Sequence, residues 1–242
     1  MRYFMTLSYD GTRYHGWQIQ PNGNTVQAEI EKALSVLLRR STAVVGAGRT
    51  DTGVHARCMV AHFDTDADVD CADLVYKLNR FLPCDISISK IEQVGENKHA
   101  RFSATRRTYR YYVHQRKNPF ARHYSWEVHY GLDFSLMNEA AGTLLAYDDF
   151  GAFCKSNSDV GTTLCDVVSA GWYCVAPGEW YFEISANRFL RNMVRAIVGT
   201  LIEVGRHRLT LDGFKAVIES GRRTEAGESV PGHALFLEDI KY

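Results

Sequence analysis

The alternation of strand-like and helix-like segments most constrains this fold, because it occurs in both halves of the 242-residue chain. In the first half, residues 2–9 alternate in a way typical of a half-buried strand. Residues 24–40 then repeat apolar side chains at helical spacing, behind a predicted N-cap at Asn24. The second half follows the same scheme, with a predicted strand hairpin over 166–186 and a predicted helix over 189–204.

These segments predict an α+β fold of two lobes, each a mixed or antiparallel sheet with helices on one face. The other predicted strands cover residues 43–45, 57–63, 86–94, 108–114 and 234–242, and the other predicted helices cover 70–81, 136–146 and 211–220. The polar, basic connection 98–104 is a suitable place for the chain to pass between lobes. We therefore predict an N-terminal lobe over 1–104 and a C-terminal lobe over 105–242.

Several classes of protein are disfavoured by the composition. No stretch reaches the roughly 18 uninterrupted apolar residues that a membrane span needs, and the N-terminus lacks the apolar core of a signal peptide. We therefore expect a soluble, cytoplasmic protein with no membrane partner and with reduced cysteines. The six cysteines and nine histidines show no zinc-ligand spacing, so we predict no metal.

The 28 basic and 28 acidic residues cancel in number but are distributed unevenly. Basic residues concentrate at 101–110, 188–195 and 206–208, whereas acidic residues collect at 64–73 and near the C-terminus. A solvated charged face would explain any one of these clusters alone. Together they can place one positive face on a neutral protein, although the cancelling totals argue against a general nucleic-acid binder whose whole surface is positive.

The segment from Gly46 to Ala56 is the most unusual, because its three glycines hold Arg49, Asp51 and His55 in one short connection. Glycine permits backbone angles that other residues avoid, so such a loop can fix the direction of a carboxylate. A phosphate-binding Gly-x-Gly-x-x-Gly loop would need glycine in place of Asp51 and a helix directly afterwards, yet a strand is predicted there. The pattern favours a loop that presents a carboxylate.

This loop resembles the Gly-Arg-Thr-Asp-Ala-Gly-Val-His signature of the tRNA pseudouridine synthase A family, whose Asp is catalytic. The resemblance extends in order and spacing through Tyr9-Asp10-Gly11-Thr12, Gly16-Trp17-Gln18, Thr25-Val26-Gln27, Leu78-Asn79-Arg80-Phe81-Leu82-Pro83, Ala100-Arg101-Phe102-Ser103-Ala104, Arg107-Thr108-Tyr109-Arg110-Tyr111 and Phe189-Leu190-Arg191-Asn192-Met193-Val194-Arg195. It implies a pseudouridine-synthase fold with a basic active-site cleft between the lobes. It also implies a homodimeric isomerase, without a cofactor, that converts uridine to pseudouridine in the anticodon stem-loop of tRNA, at tRNA positions 38 to 40.

The resemblance also assigns roles to individual residues. Asp51 is the implied nucleophile, and Arg195 is implied to pair with it and hold it ionised. Implied substrate-binding residues are Tyr109 at the target uracil, Arg49 against the RNA and Leu235 at the apolar wall of the pocket. Weaker candidates for RNA contact are Arg13, Gln18, His55, Arg107 and Arg110. Structural alternatives stay open, since an arginine on an apolar helix can extend to solvent and a strand tyrosine can simply pack in its sheet.

One carboxylate is chemically sufficient for this reaction. Positive charge builds on the ribose as the bond to uracil N1 breaks, and an ionised Asp51 can stabilise or attack that centre. Glycosidases of the usual type employ two carboxylates because they must protonate a poor leaving group, whereas uracil N1 spreads its charge over two carbonyls. Whether the Asp attacks the sugar, attacks the base or assists an elimination stays open.

Two other classes of protein also stay open. A non-catalytic RNA-binding protein would keep the basic face without needing Asp51, and a nucleoside hydrolase would release free uracil.

The sequence departs from the family pattern at three places. Thr52 replaces the usual alanine, Cys165 stands where arginine is common, and residues 226–235 keep only the outline of the closing motif.

Overall fold

The computed structural model describes residues 1–156 and 161–242 and divides the chain into two compact units. Unit 1 comprises Met1–Thr105 and Phe236–Tyr242, and unit 2 comprises Arg106–Leu235. The predicted boundary at 104/105 falls beside the observed one, but the C-terminal strand returns to unit 1.

The strands and α-helices follow one another in the predicted order, with one additional two-residue strand at 126–127. The strands are β1 (Arg2–Tyr9), β2 (Val45–Gly46), β3 (His55–Asp64), β4 (Ile86–Val94), β5 (Arg106–His114), β6 (Trp126–Glu127), β7 (Val167–Ala176), β8 (Glu179–Ala186) and β9 (Leu235–Lys241). The α-helices are α1 (Val26–Leu37), α2 (Cys71–Phe81), α3 (Phe134–Thr143), α4 (Met193–Gly205) and α5 (Leu211–Ser220).

Unit 1 is a mixed sheet in the order β4-β1-β3-β9, with β2 paired to β3. Its strand pairs are antiparallel except for β3 and β9, which run parallel with His55 opposite Phe236. Alternate residues of β1 enter the core, where Met5 is fully buried, and α1 adds the fully buried Ile30 and Leu34. Burying each such side chain stabilises the unit by roughly 1.5–3 kcal/mol.

Unit 2 is built on the antiparallel strands β5-β8-β7, and β6 pairs parallel to β5. Strands β7 and β8 form the predicted hairpin, which turns at Pro177-Gly178, where Gly178 has a φ of +83°. Helix α3 packs against β7 and against α4. The predicted α+β fold is confirmed.

Four of the five predicted helix starts differ from the observed ones by one to four residues; α3, for example, begins at Phe134 and not at 136. The N-cap of α1 is Thr25, because its Oγ1 accepts from the Ala28 N–H at 3.4 Å and its carbonyl accepts the first intrahelical bond, from the Glu29 N–H at 3.3 Å. Helix α4 begins at Met193, since Asn192 adopts a left-handed conformation with a φ of +66° that no α-helix can continue through.

No helix in the described part of the chain is both long and apolar enough to cross a membrane.

Candidate active site

The Asp51 loop, residues 47–54, runs from the end of β2 into the start of β3 in unit 1. The Ala47 N–H donates to the Val60 carbonyl at 2.8 Å, which ties the start of the loop to β3. The Val54 N–H donates to the Asp51 carbonyl at 3.1 Å and closes a turn. Gly53 stands in that turn with a φ of +75°, which glycine adopts without strain. Asp51 is therefore the first residue of a closed turn and lies partly buried.

A second segment, residues 9–17, packs against the Asp51 loop and forms hydrogen bonds with it; we call this segment the cradle. The Trp17 N–H donates to the Thr50 carbonyl at 3.1 Å, and the Gly53 N–H donates to the Tyr14 carbonyl at 3.3 Å. Gly16 has a φ of +89°, and a Cβ atom there would stand 2.4 Å from the Thr50 oxygen. The two backbones thus approach on either side of Asp51 to a distance that only glycine permits.

The cradle makes two further close contacts with the loop. Gly11 lies against the end of the turn, where a Cβ atom would stand 2.1 Å from the Val54 carbonyl oxygen. The Tyr9 hydroxyl and the Thr50 hydroxyl are hydrogen-bonded at 2.8 Å in a buried position. Together these contacts fix the peptide groups on both sides of Asp51, and so they set the direction from which its carboxylate projects.

His55 follows the loop and is buried, with 1% of its surface exposed. Its Nδ1 accepts from the Gly11 N–H at 3.0 Å and lies 3.1 Å from Asp10 Oδ1, and its ring stacks on Phe236 at 4.5 Å. A ring buried in this way has no surface with which to meet RNA. We therefore revise the predicted RNA contact of His55 to a structural role that joins the cradle to β3.

The remaining predicted residues of unit 1 lie at the surface. Arg49 and Gln18 are exposed, and Arg49 has no carboxylate partner among residues 1–156 and 161–242. Arg13 Nε donates to Asp85 Oδ2 at 2.7 Å, and this carboxylate raises the pKa of the Arg13 guanidinium. Arg13 is thus tied to Asp85, whereas Arg49 stands on the Asp51 loop with its charge uncompensated.

In unit 2, Arg195 lies in the first turn of α4 and is partly buried. Its Nε donates to the Val230 carbonyl at 2.7 Å, and the Val230 N–H donates to the Arg195 carbonyl at 3.3 Å. The segment 226–230 is seated directly on α4, because a Cβ atom at Gly199 would stand 1.8 Å from the Glu228 carbonyl oxygen. This seating fixes one edge of the guanidinium and disfavours the alternative of an arginine that only extends into solvent.

The predicted residues of β5 are each engaged within unit 2. The Tyr109 ring, partly buried, meets the Phe189 ring edge-on with centroids 5.0 Å apart. Arg107 Nη1 donates to the Asn187 carbonyl at 2.7 Å. The next basic residue of this strand, Arg110, donates from Nε to Glu183 Oε2, also at 2.7 Å. These two arginines therefore have hydrogen-bond partners inside the protein.

Leu235 and two departures from the family pattern complete the set. Leu235 is buried at the start of β9, and Thr52 is exposed on the Asp51 loop. Cys165 is buried, and burial raises the pKa of its thiol to about 11. A neutral, buried thiol cannot supply the charged contacts that an arginine could make.

Comparison with known proteins identifies the family of this chain. The model of the family described as tRNA pseudouridine synthase matches residues 5–103 and 140–242. The chain belongs to the tRNA pseudouridine synthase family. The family identified from the Asp51 loop is thereby confirmed, and the protein is an isomerase that acts on tRNA.

Curated relatives in this family match from end to end. The tRNA pseudouridine synthase A of Bacteroides thetaiotaomicron is 55% identical over 100% of this chain and 90% of its own length. The enzyme of the same name from Bacteroides fragilis is 54% identical over 100% of this chain and 96% of its own length. That of Bacillus subtilis is 40% identical over 100% of this chain and 99% of its own length.

The cradle is the part of the site that the sequence did not reveal. Its segments Tyr9-Asp10-Gly11-Thr12 and Gly16-Trp17-Gln18 carry the resemblance to tRNA pseudouridine synthases, but the only role predicted within them is an RNA contact by Gln18. The sequence feature that could have indicated the cradle is the pair Gly11 and Gly16 in the loop after the first strand. Glycine near a strand often marks a place where another backbone segment approaches closely. No group of three or more His, Cys, Asp or Glu side chains suited to a metal occurs among the described residues.

Proposed function

We propose that this protein forms pseudouridine in the anticodon stem-loop of tRNA, at tRNA positions 38 to 40, with Asp51 as the catalytic carboxylate. The observation that carries the proposal is the clamping of the Asp51 loop by the cradle, through Gly16 and Trp17 on one side and Gly11 on the other. A pre-oriented carboxylate is what the reaction needs, because a misdirected one would lose the advantage of proximity.

The chemistry balances with one carboxylate and no external reactant. The bond from ribose C1′ to uracil N1 breaks, the uracil turns, and C5 forms the new bond to C1′. The C5 proton leaves and N1 gains a proton, so the product is an isomer of the substrate. Asp51 stabilises or attacks the electron-deficient centre, and Arg195 acts as its proposed partner.

The other assigned residues act on the substrate. Tyr109 stacks on the target uracil after it leaves the helix, as a flipped base requires. Leu235 supplies apolar surface to the base, and Arg49 contacts the RNA backbone from the Asp51 loop. We further propose that the enzyme acts as a homodimer in the cytoplasm. Sedimentation velocity of the purified protein tests the dimer.

Mapping pseudouridine in unmodified tRNA transcripts tests the central proposal. Carbodiimide treatment followed by primer extension should detect pseudouridine in the anticodon arm after incubation with wild type. Asp51→Asn should form none, since the amide is nearly the same size but has neither charge nor nucleophilic oxygen. Asp212→Asn is the matched control, because its side chain is 95% exposed and its nearest basic group is Lys215 at 3.4 Å.

The same reactions separate this function from its rivals. Release of free uracil in place of pseudouridine would identify a hydrolase. Undiminished product with Asp51→Asn would remove Asp51 from the mechanism. Tight tRNA binding by wild type with no product on several tRNAs would favour an RNA-binding protein without catalysis.

A further inference from the structure

The Phe120 loop, residues 115–125, connects β5 to β6 within unit 2. Its tip presents Phe120 with 90% of the side chain's surface exposed, more than any other large apolar residue in the described ranges. Single apolar residues are common on protein surfaces, so exposure alone assigns no role. What distinguishes this phenylalanine is its surroundings.

The loop carries uncompensated positive charge. Arg116, Lys117 and Arg122 are exposed, and the sequence contains no Asp or Glu from Gln115 to Trp126. None of the three cations forms an ion pair with a carboxylate in the described part of the chain. On a chain with a formal net charge of zero, such a segment concentrates positive potential around the exposed ring.

The loop is also ordered by its own hydrogen bonds. His114 Nδ1 and Ser125 Oγ lie 2.8 Å apart and close its base. The Phe120 N–H donates to Asn118 Oδ1 at 3.0 Å, and the Ser125 N–H donates to the Ala121 carbonyl at 2.9 Å. Phe120 therefore lies on a turn that is already formed. Binding a partner would not carry the additional entropic cost of ordering this loop.

We infer that the Phe120 loop is a second tRNA-contacting surface, on which Phe120 stacks on an unpaired base while Arg116, Lys117 and Arg122 bind the neighbouring phosphates. An aromatic ring among cations is the combination that binds single-stranded RNA, because the ring stacks on a base and the cations follow the backbone. The inference rests on tRNA being the substrate. Residues 104–139 lie outside both segments matched by the family model, so the family match assigns this loop no role.

Ring chemistry is tested by filter binding of unmodified tRNA to Phe120 variants. Phe120→Ala should weaken binding about 10-fold, which lies within the usual range for one lost stacking contact. Phe120→Leu should weaken it by a similar factor because leucine keeps apolar surface but has no ring, and Phe120→Trp should bind as wild type does. Tyr76→Ala is the matched control, since Tyr76 lies on α2 in unit 1 with 66% of its surface exposed.

Phosphate contact is tested by the salt dependence of the same binding. Replacing Arg116, Lys117 and Arg122 together by glutamine should reduce the slope of log affinity against log salt by about 2, because each phosphate contact to single-stranded RNA contributes about 0.7. Phe120→Ala should leave that slope unchanged. A triple variant with the wild-type slope would overturn the assignment of the cations.

Two further results would overturn the inference as a whole. One is tRNA affinity of Phe120→Ala within 2-fold of wild type. The other is a lower sedimentation coefficient for Phe120→Ala with unchanged tRNA affinity, which would assign the ring to a contact between two copies of the chain. Pseudouridine formation by wild type at saturating enzyme tests the proposed function separately.

Discussion

Asp51 and Arg195 are both held by close backbone contacts, but the contacts come from different kinds of structure. Asp51 lies on a loop, and its direction is set by a second irregular segment that reaches it through Gly11 and Gly16. Arg195 lies on a regular helix, and the segment 226–230, which is seated on that helix at Gly199, fixes one edge of its guanidinium. A loop without internal regularity needs an external support, whereas a helix carries its own, so the two regions should fail differently when their glycines are changed.

The largest effect is expected at the helix. Gly199→Ala puts a methyl group 1.8 Å from the Glu228 carbonyl oxygen, so α4 and the segment 226–230 must separate. Because α4 is buried along most of its length, we expect a loss of about 3 kcal/mol or more in the free energy of unfolding. Urea denaturation followed by circular dichroism measures it.

Gly142→Ala is the matched control for this helix variant. It also introduces alanine into a helix of unit 2, but no atom lies within 4 Å of the new methyl group. It should stabilise the protein by roughly 0.5–1 kcal/mol. Equal stability of the two variants would contradict the close seating at Gly199.

A cradle variant, Gly16→Ala, should affect the rate of pseudouridine formation more than the free energy of unfolding. Gly16→Ala forces a left-handed alanine with a φ near +89° against the Thr50 carbonyl, and we expect a loss of about 2 kcal/mol in the free energy of unfolding. A displacement of Asp51 by about 1 Å would lower the rate of pseudouridine formation on the order of 100-fold. Single-turnover kinetics at saturating enzyme, measured below the unfolding transition, separate the two effects.

Gly48→Ala controls for glycine replacement within the same neighbourhood. Nothing lies within 4 Å of the added methyl group and the backbone is not left-handed, so the free energy of unfolding should change by less than about 0.5 kcal/mol. If Gly16→Ala were as stable and active as Gly48→Ala, the cradle would not determine the position of Asp51.

The smallest effect on stability is expected from lowering the pH, which protonates a histidine on β3, the strand that follows the Asp51 loop. His62 on β3 is buried, and its Nδ1 accepts from the Ala100 N–H at 3.2 Å. Burial lowers the pKa of His62 to about 4, and the positive charges of Arg2 and His99 act in the same direction. The negative charge of Asp64 opposes this shift but does not cancel it. The unfolded chain, with a histidine pKa near 6.5, therefore binds this proton first as the pH falls.

Stability contributed by neutral His62 should thus be complete above about pH 6.5 and decline as the pH falls toward 4. We expect a loss of about 1–2 kcal/mol by pH 5. His62→Asn, which keeps an acceptor but does not titrate, should show a shallower decline in urea unfolding at the same pH values. Parallel declines in the two proteins would assign the acid sensitivity to other groups.

Element types followed from the sequence where periodicity was strong. Helix α5 and strand β4 have the bounds that their apolar periods predict, because each is a regular element whose buried face repeats. The start of α4 did not follow, since Phe189 and Leu190 continue the helical period of apolar residues although Asn192 turns the chain to a positive φ. Asparagine adopts such a turn more readily than most residues do, and here its Nδ2 donates to Ser229 Oγ at 2.5 Å, a contact between segments distant in the chain.

The sequence by itself determined the family, the α+β class and the residue type at the candidate catalytic position, because the motif around Asp51 requires specific residues in a specific order. Only the tertiary structure decided how Asp51 is directed, that His55 is buried, and that Arg107 and Arg110 already have partners inside the protein. The physical reason is that a motif fixes which groups are present, whereas their direction and availability depend on contacts such as Gly16 against Thr50, which join segments distant in the chain.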